Sequence, residues 1–253
     1  MAKNKLQKFA EMDAFSHVIQ ARFDEVFRND YKLKGVWARE FFKNGHPIIL
    51  ELGCGKGEYT IGLAERFKET NFIGVDIKGA RMHTGACQAA DKKLNNVAFI
   101  RTRIELIESF FSADEVSEIW LTFPDPQMNK AKKRLSGTRF LNIYYRFLKP
   151  GGKIHLKTDS NFLYHYTREM AKVNNLTVLC DYSDLYNSDF SDDILSIHTY
   201  YEERFMSHGI PIKYFSFLLD NTKPLIEPEV DIPFDEYHNA GRSVKFLKDG
   251  EKG

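Results

Sequence analysis

Glu51, Asp76, Arg103, Asp125 and Asp159 are the polar residues whose spacing allows joint chemistry, each following an apolar run of strand length. Just after Glu51 come Gly53, Gly55 and Gly57, and then a run with helical spacing through Ile61, Leu63, Ala64 and Phe67. Glycine has no Cβ, so a strand–glycine loop–helix unit lets a ligand approach the backbone. The spacing is Gly-x-Gly-x-Gly, which is neither the dinucleotide fingerprint nor the phosphate loop. A carboxylate at Glu51 would repel a pyrophosphate but suits an ammonium or sulfonium charge. Asp76 stands about twenty residues beyond the glycines, where an acid hydrogen-bonds ribose hydroxyls in nucleoside-binding α/β folds. Glycine loop, Glu51 and Asp76 together point to S-adenosylmethionine. The competing reading is a turn that needs glycine for backbone reasons alone.

The elements that must position these residues alternate between strand and helix from about residue 47, which predicts a doubly wound α/β fold: a mostly parallel, seven-stranded, Rossmann-like sheet with helices on both faces. Expected strands are 48–52, 71–76, 97–101, 117–123, 153–158, 176–180 and 212–219, with a last extended piece at 243–247. Helices are expected at 79–94, 136–148 and 161–174, and a short helical stretch at 104–111. Lys149-Pro150-Gly151-Gly152 reads as a helix stop and turn. In such a sheet ligands sit beyond the carboxyl ends of the strands, the edge where all five polar residues fall. Expected segments are a basic, aromatic N-terminal extension (1–45), an α/β domain carrying the cofactor site (46–220) and an irregular C-terminal appendage (221–253).

The 253 residues carry 36 Lys+Arg against 35 Asp+Glu, so a basic face, if present, is local. Cys54, Cys87 and Cys180 are too few and too scattered for a disulfide framework or a zinc site, and no metal is expected. No run is apolar enough to span a membrane, and the start lacks the apolar core of a signal peptide, so a cytoplasmic protein is expected. Early lysines (Lys3, Lys5, Lys8) precede Phe9, Phe15, Phe23, Phe27, Tyr31 and Trp37. These either hold RNA by phosphate pairing and stacking or pack on the sheet.

Phe123-Pro124-Asp125-Pro126 ends the fourth expected strand, and its two prolines fix the backbone on either side of the carboxylate. Lys130, Lys132, Lys133, Arg134 and Arg139 follow beside the same edge, which favours phosphate binding over a merely solvated face. Glu51 to Gly57, Gly74 to Arg81, Phe123 to Pro126, Lys157-Thr158-Asp159 and Thr199 to Phe205 occur in the order found in bacterial tRNA (guanine-N7)-methyltransferases. Over about residues 45–220 the chain resembles that family, and its lysine-rich start resembles the family's tRNA-contacting N-terminus.

The resemblance implies methyl transfer from S-adenosylmethionine to N7 of a guanosine in the variable loop of tRNA. It implies cofactor contacts from Glu51, Gly53, Gly55, Gly57, Asp76 and Arg103, with Asp125 where cofactor, base and catalysis meet. Asp159 and Thr199, Tyr200, Tyr201 and Glu202 would contact the guanosine, with Asn129 and Lys130 beside them. Lys132, Lys133 and Arg134 would contact tRNA phosphates. Two departures stand out. The family has Asn or Asp in place of Arg103. It also has a tryptophan-led, histidine-containing loop where this chain has Gln127-Met128-Asn129, about two residues shorter. Asn129 falls where a substrate-binding lysine is expected, with Lys130 next to it. The segment Thr199 to Glu202 is also a capping box, Thr-x-x-Glu. Alternatives are a methyltransferase of a small molecule or protein, and a non-catalytic RNA-binding subunit with the same fold. A dehydrogenase fits worst, because Glu51 sits where a pyrophosphate would approach.

Overall fold

A computed structural model describes residues 2–188, 194–220 and 224–235. The chain runs α1 (Ala2–Asp13), β1 (Val18–Ile19), α2 (Phe23–Val26) and a π-helical turn (Trp37–Phe42). The glycine-loop unit follows as β2 (Ile48–Leu52) and α3 (Glu58–Arg66), then β3 (Asn71–Asp76), α4 (Gly79–Asp91) and β4 (Val97–Arg101). After a 3-10 turn (Ile104–Ser109) come β5 (Val116–Thr122), a second 3-10 turn (Ala131–Lys133), α5 (Thr138–Tyr144) and β6 (Leu148–Thr158). α6 (Asn161–Val173), β7 (Val178–Tyr182), α7 (Tyr200–Ser207) and β8 (Lys213–Leu218) complete the described elements.

One eight-stranded sheet has the order β1-β4-β3-β2-β5-β6-β8-β7. β8 alone runs antiparallel to its neighbours β6 and β7. Period-two alternation explains why both faces are covered. Leu50, Leu52, Ile73, Val75, Ile119 and Leu121 point to one core, shared with Phe140, Leu163 and Met170. Phe72, Phe99 and Trp120 point to the other, shared with Met12, Ile61 and Met82. The order reverses at β2, with β3 on one side and β5 on the other, which opens a crevice beyond their carboxyl ends.

The doubly wound parallel fold is as expected, with one strand more. The extra one, β1, comes from the N-terminal segment and pairs with β4. Within the same segment Trp37 is fully buried, donates Nε1–H to the Phe110 carbonyl at 2.8 Å and stacks on Phe111. Packing is therefore the outcome for Trp37, whereas Phe23 and Phe27 stack on each other in the open. β6 corrects the expected helix stop at 149–152. The strand already starts at Leu148, and those residues form an irregularity opposite Ser117 where the register shifts. The expected piece at 243–247 lies outside the described residues.

Candidate functional site

The loop after β2 needs left-handed backbone at Gly53, Gly55 and Gly57 (φ 85°, 56° and 75°). At Gly57 a Cβ would also come within 2.7 Å of the Phe99 ring. The loop amides turn inward. Gly53 and Cys54 donate to the Val75 carbonyl at 2.7 and 3.1 Å, Gly57 donates to Cys54, and Gly55 donates to Asp76 Oδ2 at 3.0 Å. These amides do not form an anion nest. The loop instead presents a Cβ-poor surface backed by carboxylates.

Glu51, expected on the cofactor side, is buried. Its side chain leaves the sheet on the face opposite Leu50 and Leu52, is only 4% exposed, and lies under the loop. Oε2 accepts from the Thr60 amide at 2.8 Å and from the Thr60 hydroxyl, and Oε1 accepts from the Thr122 hydroxyl. It ties β2 to α3 and β5. Burial pushes its carboxyl up to about 7 against the lowering effect of these hydrogen bonds. Asp76 at the end of β3 accepts from the Gly55 and Lys78 amides at 3.0 and 2.7 Å. A carboxylate has about four acceptor sites, so two of them remain for a ligand.

A cavity of about 200 Å³ joins this end of β3 to the loop after β5. Asp76, Ile77, Arg103, Gln127, Lys133 and Leu135 line it. Arg103, at the start of the 3-10 turn, is thus at the rim with Asp76. Asp125 is exposed, and its Oδ1 accepts from the Gln127 amide at 3.0 Å. The residues around it are strained: Phe123 and Gln127 have φ of 48° and 49°, unusual for residues with a Cβ. Phe123 is held there by the hydrogen bond its backbone amide donates to the Lys157 carbonyl and by stacking on Phe205 of α7.

Asp159 lies at the end of β6, 3% exposed, its carbonyl accepting from buried Lys213 Nζ at 2.8 Å. Glu202, read both as a guanosine contact and as part of a capping box, lies in the interior. It has no exposed surface, and its Oε1 lies 2.7 Å from Nζ of the equally buried Lys157. The Tyr186 hydroxyl donates to the same oxygen, and Oε2 accepts from the Thr199 amide at 3.2 Å. Thr199 Oγ1 accepts in turn from the Glu202 amide at 3.2 Å, so the capping box is realised and Glu202 is a structural anchor in this state. Lys157 also donates to the Leu195 and Ile197 carbonyls, which pins the approach to α7 onto the sheet. Tyr200 and Tyr201 open α7, and their side chains lie outside what is described.

Asn129, Lys130 and Lys132 are exposed, and Lys133 is exposed at the cavity edge. Arg134 differs from the lysines beside it. It is 8% exposed, lies over the Phe162 and Tyr166 rings at 4.7 and 4.4 Å, and donates to the Met128 and Gln127 carbonyls at 2.7 and 3.3 Å. Its fork is turned toward these carbonyls and rings. Sequence reasoning missed Thr60, Thr122, Tyr186 and Lys157 as partners. Only Lys157 had a signal, as the first residue of Lys-Thr-Asp; the others carry none until the elements are assembled. Among the described residues no His, Cys, Asp or Glu cluster is suited to hold a metal, and no helix is long and apolar enough to cross a membrane.

The pattern of a family described as a putative methyltransferase matches residues 45–215. The tRNA (guanine-N(7)-)-methyltransferase of Bacteroides thetaiotaomicron is 54% identical over 97% of each chain. That of Porphyromonas gingivalis is 50% identical over 92% of this chain and 97% of its own. Among solved structures, the 16S rRNA methyltransferase KamB superposes with a TM-score of 0.57 at 13% identity, covering 74% of this chain and 94% of its own. The 16S rRNA (adenine(1408)-N(1))-methyltransferase from Catenulisporales acidiphilia gives 0.52 at 16% identity, over 74% of this chain and 93% of its own. These two likenesses show the methyltransferase fold alone. Near-full-length identity at half of all positions decides the family: the chain belongs to the tRNA (guanine-N7)-methyltransferases.

Proposed function

We propose that the protein transfers a methyl group from S-adenosylmethionine to N7 of a guanosine in the variable loop of tRNA. The observation that supports this reading is the cavity between the end of β3 and the loop after β5, lined by Asp76, Arg103 and Gln127, whose amide holds Asp125, in a chain of this family. The residues fit a cationic nucleoside. Asp76 has acceptor sites left for a ribose diol, and the loop offers neither an anion nest nor a clash. A bound S-adenosylmethionine supplies an electrophilic sulfonium methyl.

Guanine N7 has an exposed lone pair and loses no proton on methylation, so no strong general base is needed. The chain has to align the base, and alignment alone is worth several kcal/mol. Asp125, rigid between its prolines, accepts from the guanine N1–H and exocyclic amine and favours the positive charge that develops on the base. Asp159 and Thr199 border the same end of the sheet, and Asn129, Lys130, Tyr200 and Tyr201 are the neighbouring substrate contacts. Lys132 and Lys133 neutralise tRNA phosphates. Gly53, Gly55, Gly57, Asp76 and Arg103 form the cofactor side, with Glu51 beneath it.

A transcript carrying 7-deazaguanosine, which lacks only the reacting nitrogen, tests the atom. It should bind as the guanosine transcript does and accept no methyl. Methyl transfer to it would place the reaction at another atom.

A further inference from the structure

The matched family region ends at residue 215, yet residues 224–235 run back over α6 to the loop that follows Asp125. Asn174, after α6, fixes one end by donating to the Ile226 carbonyl at 2.8 Å and accepting from its amide at 2.6 Å. Leu225 and Ile232 pack on the core. At the other end Asp235 is 5% exposed and accepts from the Ser160 hydroxyl and, at 3.1 Å, the Phe162 amide. Its own amide donates to Met128 Sδ at 3.3 Å. Midway, Glu227 accepts from the Tyr166 and Thr138 hydroxyls at 2.5 and 2.6 Å and lies 4.0 Å from Arg134.

We propose that residues 224–235 are a strap that fixes the 127–134 loop for substrate, with Glu227 and Asp235 as positioning residues. Arg134 is the link. Its guanidinium holds the Gln127 and Met128 carbonyls, and the Gln127 amide in turn holds Asp125 Oδ1. Glu227 is its counter-charge and holds the Tyr166 ring on which it stacks. Asp235 bonds the loop directly through Met128 and orients Phe162, the second ring under Arg134. The strap takes part in setting the direction of the Asp125 carboxylate without touching it. This inference rests on reading the loop as the substrate side of the site.

The test uses the full chain with Glu227→Gln, Asp235→Asn and the double variant, and has two arms. In hydrogen exchange, which needs no activity, amides of residues 127–134 should exchange about tenfold faster in the double variant, with β2 and β3 unchanged. Unaltered loop exchange, or acceleration throughout the sheet, would overturn the proposal. In methyl transfer, kcat/KM for tRNA should fall about tenfold while the S-adenosylmethionine Kd stays within about twofold. An unchanged kcat/KM, or a fall matched by loss of cofactor binding, would also overturn it. If the unaltered chain transfers no methyl to tRNA, the functional reading fails, and the exchange arm still decides the strap.

Discussion

Asp125 is held by two prolines and flanked by two residues in left-handed backbone, a strained placement that suits a group whose direction matters. Asp125→Ala should lower kcat on tRNA by roughly 10²–10³ and leave the cofactor Kd within a few-fold, measured by single-turnover methyl transfer and by titration. Full turnover would remove Asp125 from the chemistry. Glu51 makes a prediction of a different kind. Its folded pKa of about 7 lies above the ordinary glutamate value of 4.5, so the folded state holds the proton more tightly than the unfolded state does. This contribution is fully present below about pH 4.5 and is lost as pH rises through about 7, on the order of 3 kcal/mol. Glu51→Gln keeps a neutral side chain at all pH, so its Tm relative to the parent should rise between pH 5 and pH 8. A constant difference would contradict the raised pKa. The prolines made Asp125 legible as a positioned residue from sequence. The burial of Glu51 was not, because its threonine partners lie on α3 and β5 and meet it only once the sheet forms.

Among elements, the parallel strands were legible because buried runs such as 72–75 and 97–100 carry no charged or polar side chain and end at a polar residue, Asp76 and Arg101. Thr199 to Glu202 was ambiguous, since a capping box and a substrate clamp share one pattern. The capping box is formed, and Lys157, 45 positions from Glu202, is fully buried against it. Glu202→Gln would leave the Lys157 charge buried without its partner and should cost roughly 3–5 kcal/mol by denaturant unfolding. The double replacement Lys157→Met, Glu202→Leu removes both charges and should recover much of that loss. If the double variant is less stable than Glu202→Gln, the bonds to Tyr186, Thr199 and the Leu195 and Ile197 carbonyls outweigh the charge pair.

At the scale of the molecule, a net charge of +1 hides a local basic run, and its members divide by burial. Lys132 is exposed, so Lys132→Ala should lower the slope of log K for tRNA against log salt by about 0.7–0.9. Arg134→Ala should instead lower Tm, by about 2 kcal/mol of stability, and leave the slope unchanged, because the guanidinium already lies on two rings and two carbonyls. Equal slope changes in both variants would contradict this division. Nothing in the lysine–arginine pattern separates the two residues, since the rings under Arg134 come from α6, well away in sequence. The strap was equally hidden: a proline-rich acidic tail reads as an appendage until its acids meet the hydroxyls and amides of α5 and α6.

The most direct measurement is transfer of a labelled methyl from S-adenosylmethionine to unmodified tRNA transcripts, followed by borohydride and aniline cleavage, which is specific to 7-methylguanosine. Label uptake with strand cleavage in the variable loop is the predicted result. Cofactor binding without transfer to any tRNA, or transfer without cleavage, would contradict it.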